Sequence, residues 1–235
     1  ADKPFLIFED RVITFAEANR VADRIGRAGL EAGLKKGDVV SLLNDHAHLE
    51  KKAAGNALDL LQRWPEDVAQ SVRDEWIKVM TAVARDEIQH LSRVVKILER
   101  RGGHFTKAHR STYASNLRAL VRLGRGRDEL VDRLLVSALI EARSCERFEI
   151  LSRHSEHDGE LNRLYRSLWA SEHGHYKVFL NLAKAVENYE ADLIRCALMR
   201  TGGNQRRAAQ LLDIKATTLN NKIKKMGISQ NGLTN

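Results

Sequence analysis

The sequence is short of the residues that break or staple a chain. It has two prolines, Pro4 and Pro65, and two cysteines, Cys145 and Cys196, in 235 residues. So little proline leaves room for long uninterrupted helices. Two distant cysteines exclude a disulfide framework and fit a reducing compartment, so a cytoplasmic location is expected. No run of about 18 apolar residues occurs, which excludes a membrane-spanning helix and a membrane partner. The opening ADKPFLIFEDR lacks the basic-then-apolar order of a signal peptide. What is present in quantity is charge, at 30% of residues with a net +8, beside 43% hydrophobic residues. That balance describes a soluble, globular chain of one large domain, or a medium domain with a small one.

The charge is unevenly spread. Residues 1–43 are neutral, while 44–186 and 187–235 each carry a net +4. Between Arg100 and Arg127 stand eight cations and no acid: Arg100, Arg101, Lys107, Arg110, Arg118, Arg122, Arg125 and Arg127. Such a block points to a polyanion partner. The blander alternative is a solvated loop that keeps the protein soluble.

Three styles of sequence follow one another. PFLIFEDRVIT reads as two short strands around a Glu-Asp turn. A helix is expected from Phe15 to Gly33, and KKGDVVSLL resembles a further strand. Residues 44–62, 67–100, 127–154 and 160–186 read as four long amphipathic helices. Trp64-Pro65 breaks the first pair and His157–Gly159 the second. The connection from Gly102 to Gly126 is long and basic, with a helical piece near Ser115–Val121. From Glu187 the pattern changes to short helices split by TGGN and LLDIKAT. The expected divisions are therefore 1–43, 44–186 and 187–235, in a mainly α chain.

Two of the long helices carry Glu-x-x-His in RDEIQHL and SEHGHYK. With 17 glutamates and nine histidines in the chain, fewer than one such pair is expected by chance, so context must decide. Helical phase supplies it. One stripe runs Trp76, Met80, Val83, Glu87, His90, Val94, Leu98; another runs Leu161, Leu164, Leu168, Glu172, His175, Phe179, Leu182. Both pairs interrupt a face that is otherwise apolar. Glu50 falls in the stripe of the first helix and Glu141 in that of the third, whereas Glu146 points away. Unpaired buried carboxylates cost several kcal/mol or take up protons. Two divalent cations resolve this: one Glu from each of two helices and Glu-x-x-His from each of the others is the ligand set of di-iron or di-manganese bundles. The alternative is a buried hydrogen-bonded network without metal.

DHAHLEKKAAGNAL, ARDEIQHLSRVVKILERRGG, ALIEARSCERFEIL and SEHGHYKVFLNLA together resemble the bacterial tRNA hydroxylase family MiaE, over about residues 42–186. The resemblance implies a ferritin-like four-helix bundle holding two iron ions. It also implies O2-dependent hydroxylation of the isopentenyl group of 2-methylthio-isopentenyl-adenosine, next to the tRNA anticodon. The ligands it implies are Glu50, Glu87, His90, Glu141, Glu172 and His175. An external electron donor, such as an electron-transfer protein, then becomes a necessary partner. tRNA would lie on the basic connection, with Phe105 and Tyr113 available to stack a base. Cys145, one turn beyond Glu141, reads as a core cysteine rather than a pocket residue. Leu49 departs from the family, where a small residue or cysteine is expected.

Residues 187–229 resemble the Fis-type helix-turn-helix of sigma-54-dependent activators. Asn204–Leu212 would be the first helix and Thr217–Lys225 the recognition helix. DNA would meet Arg206, Arg207, Thr217, Thr218, Asn221 and Lys222. Asp213 stands where glycine is common. Residues 1–43 resemble the extreme N-terminus of AMP-forming acyl-CoA synthetases, without that family's phosphate loop, adenylation core or lid; a small α+β fragment is implied. The chain thus looks like a fusion. The leading expectation is a di-iron tRNA monooxygenase. Its rivals are a DNA-binding regulator, with the bundle as sensor or spacer, and an iron-storage or oxidase bundle.

Overall fold

The computed structural model describes residues 4–8, 11–14, 36–65, 68, 70–107 and 116–228. β1 (Pro4–Phe8) and β2 (Arg11–Thr14) pair antiparallel, with Phe8 opposite Arg11, Pro4 opposite Thr14 and a register irregularity between Pro4 and Leu6. The long helices are α1 (Lys36–Leu61), α2 (Gln70–Arg100), α3 (Arg127–His154) and α4 (Gly159–Arg200). Two short ones follow, α5 (Gln205–Leu211) and α6 (Ala216–Lys225).

The chain divides into two compact units, residues 1–121 with 136–179, and residues 122–135 with 180–235. In the first, α1, α2 and parts of α3 and α4 share one core. Leu43 and Ala47 come from α1, Val94 and Leu98 from α2, Phe148 and Leu151 from α3, and Leu161, Tyr165 and Leu168 from α4. Burying a Leu or Phe side chain contributes about 1.5–3 kcal/mol, so this apolar layer is what makes the polar layer beside it tolerable. The ends of the helices are fixed locally. Trp76 Nε1 donates to the Leu60 carbonyl at 2.9 Å, tying α2 to α1 across the Trp64-Pro65 break. Asp158 accepts from the backbone N–H groups of Glu160 and Leu161 at 3.2 and 3.1 Å and so caps α4. α2 ends where Gly102 adopts φ +80° and Gly103 N–H returns to the Leu98 carbonyl at 3.0 Å. A Cβ on Gly103 would sit 2.3 Å from Leu98 Cδ1 and 2.7 Å from Val40 Cγ1, so only glycine fits there.

The second unit has its own core of Ala191, Ile194, Leu198, Ala208, Ala209, Leu219, Ile223 and Ile228. Asn204 caps α5 by accepting from Arg207 N–H at 3.1 Å. In the turn between α5 and α6, Asp213 has φ +50°, a conformation that favours glycine.

Three expectations need correction. The strand expected over KKGDVVSLL is helical, because α1 starts at Lys36. Val39, Val40, Leu43 and Ala47 share a helical face, and the adjacent apolar residues only mimicked a strand. The fourth helix does not stop at residue 186 but continues to Arg200. The helical piece near Ser115–Val121 is a single turn at 116–118. The helix expected from Phe15 to Gly33 lies outside the described residues. No helix among the described residues is long and apolar enough to cross a membrane.

Candidate metal centre

Each helix of the bundle delivers acids to one level: α1 gives Glu50, α2 Glu87 and His90, α3 Glu141, and α4 Glu172 and His175. All six are buried, Glu87 completely. Their positions follow from phase. Glu87 and His90 replace apolar residues between Met80 and Val83 on one side and Val94 on the other, so the 3.6-residue repeat carries them inward.

The ligand atoms fall into two overlapping groups: Glu50, Glu87, His90 and Glu172; and Glu87, Glu141, Glu172 and His175. Within each group the atoms lie within 4.8 Å of one another. Each group has three carboxylates and one imidazole, and Glu87 and Glu172 belong to both. His90 Nδ1 lies 3.1 Å from Glu172 Oε1 and 3.6 Å from both Glu50 Oε2 and Glu87 Oε2. His175 Nδ1 lies 2.7 Å from Glu87 Oε1 and 3.4 Å from Glu172 Oε2.

The protonation of the cluster shows how poorly it stands alone. Burial pushes Glu87 up to about 7 against the pull of His175 and His90. Burial and the charges of Glu172, Glu87 and Glu50 raise Glu141 well above the ordinary carboxylate range. Glu172 resists its burial and is held at about 2 by its neighbours Glu141, His175 and His90. Burial opposes protonation of the two imidazoles. Yet the carboxylates around them, Glu172 first, hold His90 up at about 12 and His175 at about 10. Borrowed protons are therefore what neutralise the site.

Cations fit better than protons. Both oxygens of Glu87, His90 Nδ1, Glu172 Oε1 and His175 Nδ1 make no hydrogen bond, although the facing groups are only 2.7–3.6 Å away. Ligand atoms converge there without the geometry of hydrogen bonds. Mixed carboxylate and imidazole donors suit iron, and the two shared carboxylates suit a pair of ions. The cluster fits a di-iron centre.

Two supporting residues escaped the sequence reading. His46, one turn before Glu50, is buried; its Nε2 lies 2.5 Å from Glu50 Oε1. Its ring packs 4.8 Å from Phe148 and 6.0 Å from Tyr165. Burial opposes ionisation of Glu50, but the charge and hydrogen bond of His46 keep its carboxyl below the ordinary range. Asp86 Oδ2 faces the outer nitrogen of His175, Nε2, at 3.7 Å. Neighbours of this kind orient metal ligands. The signal for His46 was its four-residue spacing from Glu50 in DHAHLE. Cys145 is buried and its thiol donates to the Trp169 carbonyl at 3.8 Å; burial pushes it up to about 11, so it stays a thiol. Glu146 is exposed and pairs with Arg143 at 2.8 Å.

The nucleic-acid candidates differ in what they touch. Arg100 pairs with Glu160, and Arg101 with Asp158 at 2.7 Å and Glu160 at 3.2 Å. Arg122 forks onto Asp132 at 2.8 Å through both Nε and Nη2. The Arg127 guanidinium lies over the Tyr189 ring at 5.2 Å. Lys107, Arg118 and Arg125 are exposed; Arg110 and Tyr113 lie outside the described residues. Phe105 is packed 4.4 Å from the His48 ring. In the tail, Arg206, Arg207, Thr217, Thr218 and Asn221 are exposed. Lys222 instead pairs with Glu190 at 2.9 Å and Asp128 at 3.5 Å.

A helical bundle with a buried, doubly shared carboxylate–histidine cluster defines a ferritin-like protein of the di-metal class. Residues 17–202 match the family described as tRNA-(MS2IO6A)-hydroxylase (MiaE), and the chain belongs to that family. A named tRNA 2-(methylsulfanyl)-N(6)-isopentenyladenosine(37) hydroxylase of Pseudomonas putida is 42% identical over 171 residues, 72% of this chain and 77% of that protein. The protein of the same name from Salmonella typhimurium is 34% identical over 117 residues, 48% of this chain and 42% of that one. Among solved structures, a Synechococcus protein with aldehyde deformylating oxygenase activity superposes with a TM-score of 0.57 at 31% identity. The match covers 64% of this chain and 71% of that one. Residues 185–226 match the Fis family of bacterial regulatory proteins. The hydroxylase match begins at residue 17, inside the segment likened to acyl-CoA synthetases.

Proposed function

We propose that this protein is an O2-dependent non-haem di-iron monooxygenase. Its substrate is the isopentenyl group of a hypermodified adenosine next to the anticodon of tRNA. The observation that carries the reading is the pair of overlapping ligand groups sharing Glu87 and Glu172, in a chain 42% identical to a named hydroxylase of that nucleoside. Glu50, Glu87, His90, Glu141, Glu172 and His175 are the proposed ligands. Bound iron supplies the redox chemistry that inserts one oxygen atom of O2 into an unactivated C–H bond, the second oxygen leaving as water. That stoichiometry consumes two electrons and two protons, so an external electron donor is part of the proposal.

The chain's own work is to hold, orient and shield. His46 fixes the rotamer of Glu50, and Asp86 faces the outer nitrogen of His175. Buried Met80, Val83, Ala84, Val94 and Leu168 keep bulk water away from the ligand layer. We propose the division 1–43 as an N-terminal fragment, 44–186 as the oxygen-activating bundle and 187–235 as an appendage, although α1 begins at Lys36 and α4 runs on to Arg200. DNA is a second ligand of that appendage, supported by the capped α5 and by the exposed Thr217, Thr218 and Asn221 of α6.

The test is direct. The purified chain is assayed for iron, then mixed with tRNA, O2 and a reductant, and the nucleosides are weighed by mass spectrometry. The expected result is two irons per chain and one added oxygen on the isopentenyl adenosine. An iron-free chain that only binds duplex DNA, in a salt-sensitive way, would sink the enzymatic reading.

A further inference from the structure

The outer flank of α4 carries a ladder of rings. Trp169 and His173 lie 5.2 Å apart between centroids and 6° from parallel; Tyr176 follows His173 at 6.3 Å and 30°. Trp169 is 40% exposed. Helical geometry sets Arg166 and Lys177 in the same sector of about 100° as the three rings. Both are exposed, and neither pairs with an acid among the described residues. His173 and Tyr176 each directly follow a proposed ligand, Glu172 and His175.

Flat faces beside free cations are the chemistry that recognises single-stranded nucleic acid: bases stack on the rings and phosphates meet the charges. The basic connection is less suited to that task, since Arg100, Arg101 and Arg122 are already paired with acids. We propose that a single-stranded loop of the RNA substrate lies along Arg166, Trp169, His173, Tyr176 and Lys177, with one base stacked on Trp169. The inference rests on the tRNA reading above and names the surface through which it operates. It places the RNA on the helix that carries Glu172 and His175.

The experiment uses the full chain and two probes, an unmodified anticodon stem-loop RNA and a blunt RNA duplex of the same stem, titrated by fluorescence anisotropy. Trp169→Ala should weaken hairpin binding by roughly 5- to 100-fold, with Trp169→Phe close to wild type and duplex binding little changed. Reversing both charges, Arg166→Glu with Lys177→Glu, should flatten the salt dependence by about 0.7 in slope for each phosphate no longer neutralised. This double variant carries the test if Trp169→Ala fails to fold, as read by helix content and iron loading. Hairpin binding by wild type that both variants leave unchanged overturns the surface while the tRNA reading stands. If wild type binds neither the hairpin nor intact tRNA, the functional reading itself fails. Slower hydroxylation by Trp169→Ala at unchanged RNA affinity also overturns the proposal, and would assign the rings to electron entry.

Discussion

Two sets of charged residues stand out in this chain: the six acids and imidazoles of the bundle core, and the eight cations between Arg100 and Arg127. The core set is spread over some 125 residues of sequence and converges to within 4.8 Å in each ligand group. The cationic set is contiguous, yet three of its arginines are taken up by acids distant in sequence or on the next helix. What separates the two is phase. A polar residue inside an apolar stripe has nowhere to go but the interior. A charge in a loop goes to whichever partner the fold supplies. Pattern therefore predicted position better than composition did.

The sharpest break of that comparison is Glu87→Ala. Because Glu87 belongs to both ligand groups, the variant should lose both metals, whereas Glu50→Ala and Glu141→Ala, each touching one group, should retain up to one. Iron per chain by chelation assay decides it, and two irons in Glu87→Ala would remove that residue from the ligand set. Next in size is Arg122→Ala, which leaves the Asp132 carboxylate, 2% exposed, without its fork. A drop of about 2–3 kcal/mol is expected in chemical denaturation, and wild-type stability would mean that the pair is dispensable.

Metal uptake should depend on pH in a definite direction. With His90 held up at about 12 and His175 at about 10, both imidazoles are protonated at neutral pH before metal binds. Loading must displace those protons, so affinity rises with pH and falls as the solution is acidified. Calorimetry in buffers of different ionisation enthalpy should register about two or more protons released per chain loaded. Uptake without proton release would show that the imidazoles start neutral.

Asp158→Ala should cost about 1 kcal/mol by removing the cap of α4. Arg101 holds this carboxyl below its ordinary value, so its contribution is present above the unfolded value near 4 and lost as pH falls through the folded one. The gap between wild type and variant should close in strong acid; a constant gap would assign the effect to something other than ionisation. The smallest effect is expected from Arg125→Glu, an exposed site: a few-fold weaker tRNA binding at low salt and unchanged melting. A large fall in stability there would contradict its loop character.

Much of this architecture was legible. Four stripes with period 3.6 set the helices, and the six interruptions in those stripes marked the side chains that meet in the bundle core. The failures have physical causes. Val39-Val40 and Leu42-Leu43 put apolar residues side by side, which suits a buried strand and a helix equally, and the helix won because Leu43 and Ala47 continue its face. The pairing of Arg100 with Glu160 spans 60 positions, and no local pattern reports it. His46 carries no signal in the apolar stripe itself; only its four-residue spacing from Glu50 points to their contact. Asp213 was the opposite case: its departure from glycine at the turn was visible in sequence, and φ +50° shows why glycine suits that place.

α4 runs from Gly159 to Arg200, and within the first unit its inward face passes through Leu161, Leu164, Leu168, Glu172, His175 and Phe179, all buried. One residue added between Leu164 and Leu168 would turn Glu172 and His175 by about 100° and advance them about 1.5 Å, out of line with Glu50, Glu87, His90 and Glu141. Even a seven-residue step, which restores the turn, would carry both side chains roughly 10 Å along the axis, away from the other four.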